Sequence, residues 1–159
     1  DQAVQVMSEA IGSDGMIAGQ EIDLNEQSRL TDVSNVETLN WLKTGSLFVA
    51  SGHIGALAAE FEPANIEAVK QFARHVGLAF QTADDLIDQT YDAQTAGKDV
   101  RQDGDKPTVL SIAGEPAARA SCKEHIGIGL QALEASGLET ESFVGLVDSI
   151  FGHMASRGT

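Results

Sequence analysis

The sequence predicts an all-α fold, and three observations carry the prediction. Val, Ile and Thr are scattered through the chain rather than alternating with polar residues, so no run reads as a half-buried strand. The three prolines, Pro63, Pro107 and Pro116, each stand where an apolar segment begins, and proline is tolerated in the first turn of a helix but breaks a later one. Short polar segments separate the apolar ones, with no internal repeat and no low-complexity tract. At 159 residues the chain is about one domain's worth and can bury a real core.

Taken in order, residues 2 to 11 suit a helix that ends at the turn signal Gly12-Ser13-Asp14-Gly15. Ser34 with Glu37 has capping-box spacing, and the apolar pattern after it runs from Val36 through Trp41, Leu42, Leu47 and Phe48 towards Leu57. Lys43-Thr44 interrupts that pattern where its residues turn small. Pro63 opens a second long helix reaching roughly Asp92, and residues 93 to 106, with two glycines and mixed charge, read as a loop. Pro107 is expected to begin a short helix. Pro116 opens another that stops near Gly137, and residues 141 to 156 form the last.

Composition narrows the function. Hydrophobic residues make up 42% of the chain and aromatic ones 5%, and no run reaches the roughly 20 apolar residues of a membrane span. Ten Lys and Arg against 24 Asp and Glu give a net charge of -14, which repels phosphate backbones and argues against nucleic acid as the main partner. A protein so acidic that handles phosphates needs metal ions. The single cysteine, Cys122, excludes an internal disulfide and fits a reducing compartment, so a cytoplasmic location is expected. No signal peptide is visible, and a start at Asp1 rather than Met leads us to expect further natural sequence upstream.

The most informative stretch is residues 80 to 99, FQTADDLIDQTYDAQTAGKD. On a helix, Gln81, Asp84, Asp85 and Asp88 fall at i, i+3, i+4 and i+7, within about 100° of arc. Phe72, Val76, Ala79, Ala83, Leu86 and Ile87 occupy the opposite side. Such a face is either a solvated surface or a ligand site. No Lys or Arg lies three or four residues from these aspartates, and like charges at that spacing each cost a few tenths of a kcal/mol. Three hard oxygen donors on adjacent turns cannot satisfy an octahedral ion alone, and suit Mg²⁺ that completes its shell with water and substrate phosphate. Lys98 and Lys106 follow the acidic helix, and Lys43 lies on the preceding one. Each is an ordinary surface lysine by itself; with D-D-x-x-D they form a pattern.

With these elements in place the chain resembles the trans-isoprenyl diphosphate synthases, or polyprenyl synthetases, over essentially its whole length. The matching segments run in family order: GMIAGQEIDL at 15 to 24, KTGSLFVAS at 43 to 51, GLAFQTADDLID at 77 to 88 and GKDVRQDGDKPTVLSIAG at 97 to 114. D-D-x-x-D alone is weak; preceded by Phe80-Gln81, followed by Gly97-Lys98 and with Lys43-Thr44 upstream, the set is highly specific. The wording is most similar to bacterial geranylgeranyl diphosphate synthases, with farnesyl diphosphate synthases a close second.

The resemblance implies an all-α helical bundle of the isoprenoid synthase type, of which residues 1–159 form the C-terminal portion of a single domain. It implies a Mg²⁺-dependent prenyltransferase that joins isopentenyl diphosphate to an allylic diphosphate, commonly as a homodimer. Asp84, Asp85 and Asp88 would hold the Mg²⁺ that grips the allylic diphosphate, with Lys43, Lys98, Lys106 and Gln20 as diphosphate-binding residues. Thr44 and Gln81 would stabilise the allylic carbocation, as a preorganised oxygen dipole favours positive charge without trapping it as a nucleophile would. Released pyrophosphate would take the final proton. Asp23, in Gly19-Gln20-x-x-Asp23, has a loop or helix-capping role as its alternative. His53 reads as a packed helical histidine, and His75, His125 and His153 have no metal-ligand partners at useful spacing in sequence.

The chain also departs from the family. Asp84-Asp85 is its only adjacent aspartate pair, so the family's first aspartate-rich motif, with its arginine pair, is absent, as are the basic residues that bind isopentenyl diphosphate. Half of an enzyme, inactive alone and prone to self-association, is the expectation. A noncatalytic regulatory relative and an unrelated acidic helical binding protein are the alternatives.

Overall fold

The computed structural model describes residues 2–26, 30–95 and 107–155. Among them there are only helices: α1 (Gln2–Ile11), α2 (Met16–Asn25), α3 (Val33–Asn40), a π-helical turn (Trp41–Gly45), α4 (Ser46–Ala58), α5 (Pro63–Thr95), α6 (Val109–Ala113), α7 (Glu115–Ser136) and α8 (Glu141–Ala155).

At 33 residues, roughly 50 Å long at 1.5 Å per residue, α5 is the axis on which the rest is hung. Helices α4 and α7 pack along it, α3 and α8 touch it, and α2 reaches it through the π turn. Its inward stripe is as the spacing predicted: Phe72, Val76, Ala79, Ala83 and Leu86 are buried, and Ile87 is half-buried. Phe72 and Phe143 of α8 meet edge to face, with centroids 5.1 Å apart, while Cys122 and Leu133 of α7 join the same core. Val36, Leu86, Val109 and Ala118 form a second, smaller apolar cluster between α3, α5, α6 and α7. Apolar burial on both flanks fixes the rotation of α5 about its own axis, and with it the direction of the acidic face.

Four expectations need correction. The helix after residue 30 is capped not by Ser34 but by Asp32, whose extended backbone lets its carboxylate accept the Asn35 N–H at 2.8 Å; aspartate is a strong N-cap, and it places Ser34 inside the first turn. Pro107 does not start α6. Thr108 does, in a reciprocal box in which its hydroxyl accepts the Ser111 N–H at 3.0 Å and the Ser111 hydroxyl accepts the Thr108 N–H at 2.8 Å. Residues 93 to 95, assigned to a loop, continue α5; the remainder of that segment, 96–106, lies outside the described residues. Finally, α2 was not foreseen. Its apolar residues keep to no single face, because the helix docks through its backbone: a Cβ on Gly19 would lie 2.3 Å from the backbone nitrogen of Lys43.

Candidate active site

The site grows from the π turn. The Ser46 N–H reaches back five residues to the Trp41 carbonyl, so the turn carries an extra residue and re-aims the side chains that follow, a feature common at functional sites. The indole of Trp41 occupies the space where a Cβ on Gly45 would sit, 2.7 Å from its Cε3, and the Arg74 guanidinium lies 4.2 Å above the ring. Gly77 of α5 has its own Cβ position 3.2 Å from the Gly45 Cα, which brings the two helices together backbone to backbone. The consequence is that Thr44 meets the polar face of α5.

There the Thr44 hydroxyl donates to Gln81 Oε1 at 3.2 Å, and Gln81 Nε2 reaches Asp85 Oδ1 at 3.4 Å. Lys43 turns the other way and donates to Asp23 Oδ2 of α2 at 2.6 Å. Residues 23, 43, 44, 81 and 85, from α2, the π turn and α5, thus form two hydrogen-bonded strings meeting at adjacent positions of one turn. Asp84 and Asp88 are exposed on the same face of α5 as the half-buried Asp85. Burial pushes the Asp85 carboxyl up to about 6; the Gln81 hydrogen bond opposes the rise, Asp84 and Asp88 add to it, and the Lys43 charge again opposes it. A carboxylate held reluctantly ionised among other carboxylates is one that a cation would relieve.

Among the described residues no three carboxylate, imidazole or thiolate groups converge closely enough to hold a metal by themselves. Asp84, Asp85 and Asp88 offer hard carboxylate oxygens along one face of α5, the donor chemistry that an ion such as Mg²⁺ takes together with water and phosphate oxygens.

Of the residues singled out in the sequence, the structure joins Thr44, Gln81 and Asp85 by hydrogen bonds and Lys43 to Asp23, and sets Asp84 and Asp88 on the same helical face as Asp85. Gln20 is exposed on α2, one residue past the Gly19 contact. Lys98 and Lys106 lie outside the described residues. Asp23 is not a loop or capping residue: it sits within α2 as the partner of Lys43. His75 and His125, 50 residues apart in sequence, meet Nδ1 to Nδ1 at 2.9 Å, and Glu37 lies 3.6 Å from His125 Nε2. His53 is half-buried in α4. An apolar cavity of about 400 Å³, with Leu47, Phe48, Val69, Phe72, Val76 and Phe143 among its walls, lies between α4, α5 and α8. It begins beside the site, since Phe48 packs on Phe80 with ring centroids 5.4 Å apart.

Fold and site together define the class: an all-α bundle of the isoprenoid synthase type. The chain belongs to the polyprenyl synthetase family, whose sequence profile matches residues 1–129. It is 39% identical over 125 residues to a geranylgeranyl diphosphate synthase of Pseudescherichia vulneris, covering 79% of this chain and 40% of that protein. To a farnesyl diphosphate synthase of Geobacillus stearothermophilus it is 33% identical over 116 residues, covering 70% of this chain and 39% of the relative. Among solved structures, a geranyltransferase from Helicobacter pylori complexed with magnesium and isoprenyl diphosphate matches with a TM-score of 0.79 at 26% identity, covering 95% of this chain and 52% of that one. The relatives are thus prenyltransferases, and the chain spans about half their length or less.

Proposed function

We propose that this chain is the C-terminal portion of a single-domain, Mg²⁺-dependent prenyltransferase that condenses isopentenyl diphosphate with an allylic diphosphate, giving geranylgeranyl diphosphate. The observation that supports the reading is the hydrogen-bonded string Thr44, Gln81 and Asp85, two neutral oxygen dipoles leading to an acidic face, with the Lys43 cation next to Thr44 in the same turn and paired with Asp23. Bound at Asp84, Asp85 and Asp88, Mg²⁺ would neutralise the diphosphate and make it a leaving group.

The chain's own residues do the rest. Lys43 holds a diphosphate whose charge grows as the C–O bond ionises, an interaction that strengthens toward the transition state. Lys98 and Lys106, in the segment after α5, and Gln20 on α2 are assigned to the same diphosphate. The Thr44 and Gln81 oxygens face the developing carbocation, and their mutual hydrogen bond fixes both dipoles before the reaction begins. No side-chain base is required, because the departing pyrophosphate can accept the final proton. The neighbouring apolar cavity offers a hydrocarbon tail a dry wall. The 39% identity to a geranylgeranyl diphosphate synthase supports a C20 product, and the similar match to a farnesyl diphosphate synthase makes the C15 product the alternative. No helix among the described residues is long and apolar enough to cross a membrane; a cytoplasmic homodimer belongs to the same proposal.

The test is complementation. The 159-residue chain is mixed with a separately expressed N-terminal half of a relative bearing the first aspartate-rich motif, and incorporation of radiolabelled isopentenyl diphosphate is measured with product length. The chain alone is expected to be inactive and the mixture active. Turnover by the chain alone would contradict the need for a second wall, and failure of a well-folded pair would contradict prenyl transfer.

A further inference from the structure

Lys43 is the one site cation among the described residues, and the structure shows what holds it. Its ammonium donates to Asp23 Oδ2 at 2.6 Å, with the Asp23 side chain only 12% exposed and that of Lys43 37% exposed. The arrangement depends on Gly19, one helical turn before Asp23 on the same face of α2. With no side chain there, the α2 backbone closes on the Lys43 backbone, and the next turn brings the Asp23 carboxylate to the end of the lysine stem.

Resting on the reading given above, the geometry points to Asp23 as a positioning residue that keeps the Lys43 ammonium out of the acidic face. An ammonium has three donors; Asp23 takes one and leaves two for a phosphate. Asp85 already feels the Lys43 charge, so a lysine released from Asp23 has the carboxylates of α5 as its next anionic partners. Settled there, it would occupy the oxygens needed for the metal and face away from the diphosphate. Asp23 therefore acts against naive electrostatics, since an extra negative charge near an anion site improves anion binding by deciding where the cation stands.

The sign makes the proposal testable on the 159-residue chain by titration calorimetry with inorganic pyrophosphate in excess Mg²⁺, at a temperature where circular dichroism shows every variant folded. Asp23→Asn is expected to weaken Mg²⁺-dependent pyrophosphate binding about tenfold, the loss typical of one misplaced charge-assisted hydrogen bond. Asp23→Glu should restore most of it. In Lys43→Met the further change Asp23→Asn should have no effect, because the group it positions is gone. Titration with Mg²⁺ alone should be weaker in Asp23→Asn than in the wild type, and recover in the double variant. Unchanged or tighter pyrophosphate binding by Asp23→Asn, or equal losses from Asp23→Asn with and without Lys43, would overturn the positioning role and leave the diphosphate site standing. Absence of Mg²⁺-dependent pyrophosphate binding by the wild-type chain would remove both.

Discussion

Replacing Asp85 by asparagine separates the cost of the acidic face from its use. The substitution keeps an acceptor for Gln81 Nε2 and removes a carboxyl that the fold holds at about 6 instead of the ordinary 3.8. At about 1.4 kcal/mol per tenfold change, that displacement corresponds to about 3 kcal/mol, and solvent screening of a partly exposed group reduces it to on the order of 1 to 2 kcal/mol. The sign follows from linkage. A carboxyl raised in the folded state binds its proton more tightly there than in the unfolded chain, so stability falls as pH rises from 3.8 through about 6 and stays low above it. Free of metal at pH 7.5, Asp85→Asn should therefore melt about 2 to 8 °C above the wild type, given roughly 2 to 4 °C per kcal/mol for a domain of this size. At pH 4 most of that advantage should vanish. With Mg²⁺ and pyrophosphate at 100 times Kd the wild type should gain about 2.7 kcal/mol, since a ligand bound only by the folded state adds RT ln(1 + [L]/Kd), whereas the variant should gain little. Differential scanning fluorimetry over both pH values, with and without ligands, reads all four quantities. A variant that melts no higher at pH 7.5, or that keeps the full ligand gain, would refute the reasoning.

Thr44→Val and Gln81→Leu, tested in an active complemented enzyme, should lower kcat with little change in KM, as expected of dipoles used chiefly in the transition state; a rise in KM at unchanged kcat would assign them to substrate binding instead. Burial first, then His125 and Arg74, hold His75 below the ordinary histidine value of 6.5, so its contribution to stability is complete above pH 6.5 and is lost as pH falls below it. His75→Gln should flatten the melting profile on the acid side of pH 6.5, and parallel profiles would contradict this. Gly19→Ala places a methyl carbon against the Lys43 backbone, an overpacking expected to cost about 1 to 3 kcal/mol in urea unfolding and to weaken pyrophosphate binding.

The acidic face of α5 was legible in sequence because two independent signals coincide there. The 3.6-residue period fixed which side is core, and the lack of compensating cations marked the other side as costly. Helices α5 and α7 were legible from proline, which acts locally. What escaped depends on partners remote in sequence. The π turn requires the Trp41 ring beside Gly45 and Arg74 above it, and only the small residues after Lys43 hinted at a break. Helix α2 has no apolar stripe because Gly19 docks it by backbone approach. Ser34 and Glu37 have capping-box spacing, but Asp32, two residues earlier, is in the extended conformation a cap needs and takes the role. His75 and His125 are joined by the crossing of α5 and α7, which no local spacing encodes. Asp23 was visible as part of a motif, whereas its pairing with Lys43 rests on the closeness of two backbones.

The most direct test of the diphosphate site is an anomalous-difference map from crystals of the 159-residue chain grown with Mn²⁺, as a stand-in for Mg²⁺, and pyrophosphate. The expected map shows metal peaks within about 2.2 Å of carboxylate oxygens of the Asp84, Asp85 and Asp88 face, bridged to a pyrophosphate that accepts a hydrogen bond from Lys43 while Asp23 still holds the same ammonium. Metal and pyrophosphate bound elsewhere, with that face left to water, would contradict it.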